Sequence, residues 1–241
     1  MKKLSVLIML LATASVCFGQ NETQKITGLG KLKLGDPVSV LDGLGYKNGG
    51  KIDKDKPFYY YTYDNSNSKK YFEIVADTTL KYLDYNAKYD NRVKSFLFPK
   101  YEIINGLFLE GMILRFFNGA LYEISSSNAS SDLNDALTLK YGEPKTKTET
   151  KDNQFVNQLT GATITKTDIA YYFTYETGDS DIVCRYTLDK YYDSKGKENY
   201  LSIFVLEKTS VREEVDNTDK ATRERLKAKE KDLKKKNLDG L

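Results

Sequence analysis

The dipeptide Asn118-Gly119 stands between two apolar runs, residues 112–117 and 120–124, and it constrains this chain more than any other feature. Both positions tolerate positive φ, which a two-residue type I′ hairpin turn requires. The turn sets a register in which Phe117 faces Ala120, Arg115 faces Tyr122 and Ile113 faces Ile124. One hairpin face then carries Ile113, Phe117 and Ile124, and the other carries Leu114, Phe116 and Leu121. Neither face is purely polar, so both are expected to be at least partly covered. A helix follows: Ser131 is placed to cap it, Asp132 suits the positive end of its dipole, and Leu133, Ala136, Leu137 and Tyr141 form its apolar stripe. Gly142 and Pro144 stop it.

The flanking segments read as smaller versions of the same signals. Residues 20–30 form a polar lead-in. Asp36-Pro37 opens a helix of about two turns, with Val40, Leu41 and Leu44 on one face and Gly45 at its end. Residues 58–63 and 71–76 are rich in tyrosine and phenylalanine and read as strands. The span 81–98 mixes tyrosines at helical spacing (Tyr82, Tyr85, Tyr89) with a strand-like end. In the second half, 169–175, 182–192 and 200–207 alternate as an antiparallel meander, with a turn at 193–196. Cys184 shares a face with Ile182, Tyr186 and Leu188, which places it in the core.

Residues 1–19 look like an export signal: Lys2 and Lys3, an apolar run from Leu4 to Ala12, then small residues before a cut after Gly19. The run is too short to span a bilayer as a stable helix. A second reading cuts before Cys17 and lipidates it, although Val16 stands where such signals carry a small residue. Loss of Lys2 and Lys3 lowers the formal net charge from +3 to +1, so bulk electrostatics names no partner. Cys184 is then the one remaining cysteine and no internal disulfide can form. With 241 residues and 40% hydrophobic content the chain can fill one or two cores of ordinary size.

The sequence contains no histidine, which removes Ser-His-Asp and Cys-His catalysis and the commonest zinc sites. Gly28, Gly30 and Gly35 match no phosphate-binding fingerprint, and no cofactor is expected. Carboxylates remain. Asp179 and Asp181 after Gly178 lack the further oxygens of a calcium loop and read as a turn, and Asp84 and Asp90 make no better case. Tyr59, Tyr61 and Tyr63 would line one face of a strand, where aromatic rows stack on sugars or partner proteins. The competing reading is packing, since the chain has 19 tyrosines and no tryptophan. From Lys220 to Lys236 nine Lys/Arg stand against three Asp/Glu, a local excess of six. Only Leu226 and Leu233 interrupt this tail, which reads as a solvated, partly helical extension. Lys227, Lys231, Lys234, Lys235 and Lys236 could meet anionic lipid or lipopolysaccharide. The missing aromatics argue against nucleic acid.

Two segments share a layout of capped helix, Leu-Gly or Tyr-Gly stop, and antiparallel strands: 35–45 and 131–144. This resembles the helix-plus-sheet modules of outer-membrane assembly lipoproteins of the SmpA/OmlA type and the tandem modules of β-lactamase-inhibitor proteins. The phrase Phe117-Asn118-Gly119-Ala120-Leu121-Tyr122, followed by Lys140-Tyr141-Gly142-Glu143-Pro144, is similar to exported bacterial proteins with no assigned activity. The resemblance implies an α+β fold of two related modules, 20–126 and 127–210, with a charged helical tail at 211–241. It also implies a non-enzymatic envelope module that binds an envelope or extracellular protein. A glycan-binding or glycan-cleaving protein using tyrosines and carboxylates is the alternative, and a structural envelope protein whose tail reaches lipid is a third.

Overall fold

A computed structural model describes residues 25–53, 59–76, 87–156 and 160–239, and at Tyr59, Tyr63, Leu233 and residues 236–239 it describes the backbone only. The export segment 1–19 with Cys17, and the residues Tyr82, Asp84 and Tyr85, lie outside the described residues.

The hairpin forms from β6 (Leu107–Phe117) and β7 (Ala120–Ala129), with Asn118 at φ 50° and Gly119 at φ 84°. Phe117 pairs with Ala120 as the turn dictates. One step further the register shifts: Arg115 pairs with Glu123, Leu114 with Ile124 and Ile113 with Ser125. Tyr122 is the extra residue of a β-bulge, so side chains beyond it change sides. Ile124 therefore joins Leu114, Phe116 and Leu121 in the larger core, while Ile113 lies in a smaller cluster on the opposite face.

The remaining strands extend this hairpin on both sides. In spatial order they are β3 (Lys47–Lys51), β4 (Lys70–Ile74), β5 (Val93–Ile104), β6, β7, β11 (Glu198–Lys208), β10 (Ile182–Tyr192), β9 (Thr163–Tyr175) and β8 (Lys145–Val156). Only β3 and β4 run parallel. A separate two-stranded ribbon, β1 (Gly28–Leu29) and β2 (Leu32–Lys33), precedes them. The chain is thus mostly β, and the expected α+β pair of helix-plus-sheet modules is not what forms. β7 hydrogen-bonds directly to β11, with Ser126 opposite Phe204, so the expected division after residue 126 falls inside a strand. The repeated cap-and-stop layout is a local signal and carries no information about this long-range pairing. Its first copy is a short 3-10 helix, Val38–Gly43, and Asp36 accepts a bond from the Lys33 amide at 2.7 Å instead of capping it.

One sheet face is apolar along much of its width. Phe98, Met112, Leu114, Ile124, Phe204 and Cys184 line it under the β1–β2 ribbon, Leu41 and the helix α2 (Ser131–Tyr141). Leu133 and Leu137 are the buried residues of that helix, and Gly142 ends it at φ 89°, as its sequence predicts. Cys184 is enclosed as expected, and burial pushes its thiol up to about 12. The meander also forms as read, and Gly196 at φ 73° closes its last turn.

The opposite face is mixed. Phe72, Leu97 and Ile113 form its small apolar cluster, beneath α1 (Tyr59–Tyr63). The final helix, α3 (Thr209–Asp239), crosses the same face. Asp181 begins it from outside: its carbonyl accepts from the Thr209 amide at 2.8 Å and its carboxylate from the Ser210 amide at 2.8 Å. The 179–181 turn expected from sequence therefore doubles as a helix cap. Val215 is fully buried, Arg212 pairs with Glu207 of β11, and Arg92 bonds Glu214 at 2.7 Å. Beyond Arg223 every described side chain of α3 is exposed or half-buried.

Candidate functional site

Cross-strand partners of an antiparallel pair project their side chains to the same side, so the register assigns faces. On the mixed face, Glu149 of β8, Ala170 of β9, Asp189 of β10 and Leu201 of β11 lie opposite one another in one row. The neighbouring row is Lys147, Tyr172, Thr187 and Ile203. α3 docks at the β7 end of this face, and over β8–β11 a groove of about 460 Å³ remains open. Ala170 and Leu201 give it apolar walls, Tyr172 and Tyr191 add aromatic ones, and Glu149, Lys151, Asp168 and Asp189 line it.

Its acidic groups are not equivalent. Glu149 takes a salt bridge from Lys147 at 2.6 Å and a bond from the Tyr172 hydroxyl at 3.2 Å, and the Lys147 bond holds its carboxyl below the ordinary value. Asp168 accepts from the Tyr192 amide at 2.9 Å. Asp189 stands apart: its Oδ1 is enclosed and no donor among the described residues reaches it. Burial pushes this carboxyl up from its ordinary value. An enclosed acceptor without a partner costs about 1–3 kcal/mol, which favours any ligand that brings a donor.

A second ionic cluster lies under α3. Arg115 pairs with Glu123, which also accepts from Ser125 at 2.7 Å, and Glu207 sits opposite Glu123 on β11. Burial raises the Glu207 carboxyl, with Arg212 opposing it. The enclosed Tyr122 hydroxyl has no hydrogen-bond partner. Glu123 and Glu207 are both covered by the sheet and helix, which gives these carboxylates a part in holding α3 rather than an open face. A third depression, about 640 Å³ between α2, β8 and β9, presents Leu139 at 91% exposure. Two of its polar residues are used internally: Tyr175 Oη bonds the Asn134 side chain at 2.8 Å and Thr138 at 2.9 Å.

The residues singled out from sequence lie elsewhere. The run 58–63 was expected as a strand, but Tyr59, Tyr61 and Tyr63 sit on helix α1, whose 3.6-residue period does not align alternate residues along one face. Tyr61 turns inward, its ring 4.9 Å from Phe72 and its hydroxyl accepting from the Asp53 amide at 2.7 Å. β propensity loses here to that contact. Among the described residues the exposed tyrosines are Tyr60, Tyr171, Tyr191 and Tyr200. Lys227, Lys231, Lys234 and Lys235 are exposed along α3, where Lys234 pairs with Glu230 at 2.7 Å, and Lys236 follows on the same helix.

Sequence reasoning passed over Asp189. Its one signal was an acidic residue in mid-strand, two positions after Thr187. Among the described residues no cluster of three or more His, Cys, Asp or Glu could hold a metal, and no helix is long and apolar enough to cross a membrane. No family model, curated protein or solved structure matches the chain.

Proposed function

We propose that this chain is an exported, non-catalytic binding module of the bacterial envelope that acts by protein–protein contact, with the β8–β11 groove as its recognition surface. One observation carries the reading: an open groove with apolar and aromatic walls encloses a carboxylate oxygen for which the described residues supply no donor. Binding sites combine apolar walls with a few polar groups in this way. The signal-like start supports export, and the lack of histidine removes the His-dependent mechanisms. The tandem-module resemblance supports none of this, because the fold it implied does not form.

Glycan binding is the second reading, favoured by Tyr172 and Tyr191 beside carboxylates in the same groove. Cross-linking in envelope fractions, comparing the full chain with an Ala170→Arg variant whose groove is filled, separates the two from an inert surface. Capture of a defined protein partner that disappears in the variant is the expected result. Saturable binding on a glycan array, lost in Tyr172→Ala, with no groove-dependent protein capture, would replace the first reading with the second.

A further inference from the structure

We infer that the Asp189 carboxylate receives a positively charged side chain, the ammonium of a lysine or the guanidinium of an arginine on a partner protein, whose aliphatic stem lies along Ala170 and Leu201. The inference rests on the proposed recognition surface and names the chemistry of its occupant.

Three observations converge on it. The first is the missing donor at Asp189 Oδ1, in a groove otherwise shaped for a ligand. The terminal torsion of an aspartate is broad, so a modest turn presents this oxygen to an incoming group. The second is that the nearby cations are committed or distant. Lys147 is held by Glu149 at 2.6 Å, and Lys190 by Glu198 at 2.8 Å. Lys151 lines the groove from the edge strand, two strands from Asp189. The third is the wall chemistry: a methyl group, a leucine and the Tyr172 ring suit the methylene stem of a long basic side chain and the cation at its end. A charge-assisted bond to a partly desolvated carboxylate is about twice as strong as a neutral one, which favours the cation over a hydroxyl.

The groups facing Asp189 are Glu149 and Lys151 on β8, Asp168 and Tyr172 on β9, Tyr191 on β10 and Leu201 on β11, while Lys190 projects to the other side of the sheet. The two further acids reinforce the preference for a cation, and Lys151 opposes it. Binding is expected to weaken as pH falls through the Asp189 carboxyl, at a pH above the ordinary 3.8 because burial raises it.

The test is an amide-resolved NMR titration of the full chain with N-acetyl-lysine methylamide and N-acetyl-arginine methylamide. N-acetyl-norleucine methylamide serves as the uncharged control and methyl glucoside as the saccharide arm. Saturable shifts at Ala170, Asp189 and Leu201 in the millimolar range are expected from the two cations. Asp189→Asn, which keeps the side-chain shape, should weaken them about tenfold, and Lys151→Gln should strengthen them. An unchanged amide spectrum elsewhere shows that the variants fold. Equal shifts from norleucine, shifts from the glucoside alone, or full binding by Asp189→Asn overturn the inference. The absence of any shift from the cations overturns it too, and groove-dependent capture of a protein partner would then still support the recognition surface.

Discussion

Arg115 and Glu123 illustrate what the bulge at Tyr122 does at the scale of single side chains. By shifting the register one place it sets Arg115 opposite Glu123, and both are nearly closed off from solvent. Removing one member of such a pair leaves the other charge buried and uncompensated, which typically costs roughly 3–5 kcal/mol. Glu123→Ala is therefore expected to lower the unfolding free energy by about that amount in urea denaturation. Lys147→Ala, at an exposed pair, should leave it unchanged. Equal effects of the two substitutions would contradict the burial assigned to the first pair. Asp189 is the contrasting case. No donor among the described residues bonds its Oδ1, so Asp189→Asn is expected to leave the unfolding free energy unchanged or slightly higher.

At the scale of elements, α3 has two unlike halves. Arg212, Val215, Asp216, Asp219 and Arg223 tie its first half to the body, and Arg223 bonds the Ala87 carbonyl at 3.0 Å. Truncation after Arg223 is expected to leave the thermal midpoint in place, while truncation before Arg212 should lower it by several degrees and expose Tyr122, enclosed beside Arg212 and Asp216, to fluorescence quenchers. The docking also has a pH signature. The Ser210 bonds hold Asp181 below the ordinary 3.8, the Arg92 bonds do the same for Asp90, and at Asp216 the Lys88 and Arg212 bonds outweigh the upward push of burial. Carboxyls depressed in the folded state stabilise it above 3.8, and that contribution disappears as pH falls through their folded values. Glu207 has the opposite sign: raised above 4.5 by burial, it favours the fold at lower pH and opposes it as pH rises through its folded value. Unfolding free energy should thus rise slightly as pH drops from neutral toward Glu207's range, then fall steeply below 3.8. A monotonic fall from neutral pH would refute this assignment. These contacts also show where sequence is legible. The Asn-Gly turn, the core position of Cys184 and the apolar stripe and stop of the 131–141 helix are written in adjacent residues and form as read, whereas the cap position falls on Ser130, without a side-chain bond, and not on Ser131. Asp181 acting as a cap for a helix 28 residues later, the Tyr122 bulge and the inward turn of Tyr61 depend on distant partners that no local pattern encodes.

For the whole molecule, the nine-stranded sheet replaces the expected pair of modules, and the reason lies in β7 and β11. Both strands bury an alternate set of side chains, Ile124 and Ser126 opposite Leu206 and Phe204, so the two halves share one core. A single cooperative thermal transition is expected, with calorimetric and van't Hoff enthalpies in agreement, and residues 127–210 alone should not fold. Two transitions would restore the modular reading. The far edge was invisible for a different reason. β8 is almost wholly polar, Lys-Thr-Lys-Thr-Glu-Thr-Lys, and shows no apolar alternation because neither of its faces is buried. Charged edge strands of this kind resist unwanted pairing, and here the strand also forms one bank of the groove. The candidate site was unreadable for the same reason: its residues become neighbours only once β8 has joined β9.

Site-specific photo-cross-linking gives the most direct test of the groove as the recognition surface. A photoreactive residue replaces Ala170 in the groove or, separately, Leu139 on the exposed side of α2, and each chain is irradiated in envelope fractions. Discrete protein adducts from position 170, lost when Asp189→Asn is added and absent from position 139, are the predicted result. No adduct at 170, or the same adducts from both positions, would contradict it.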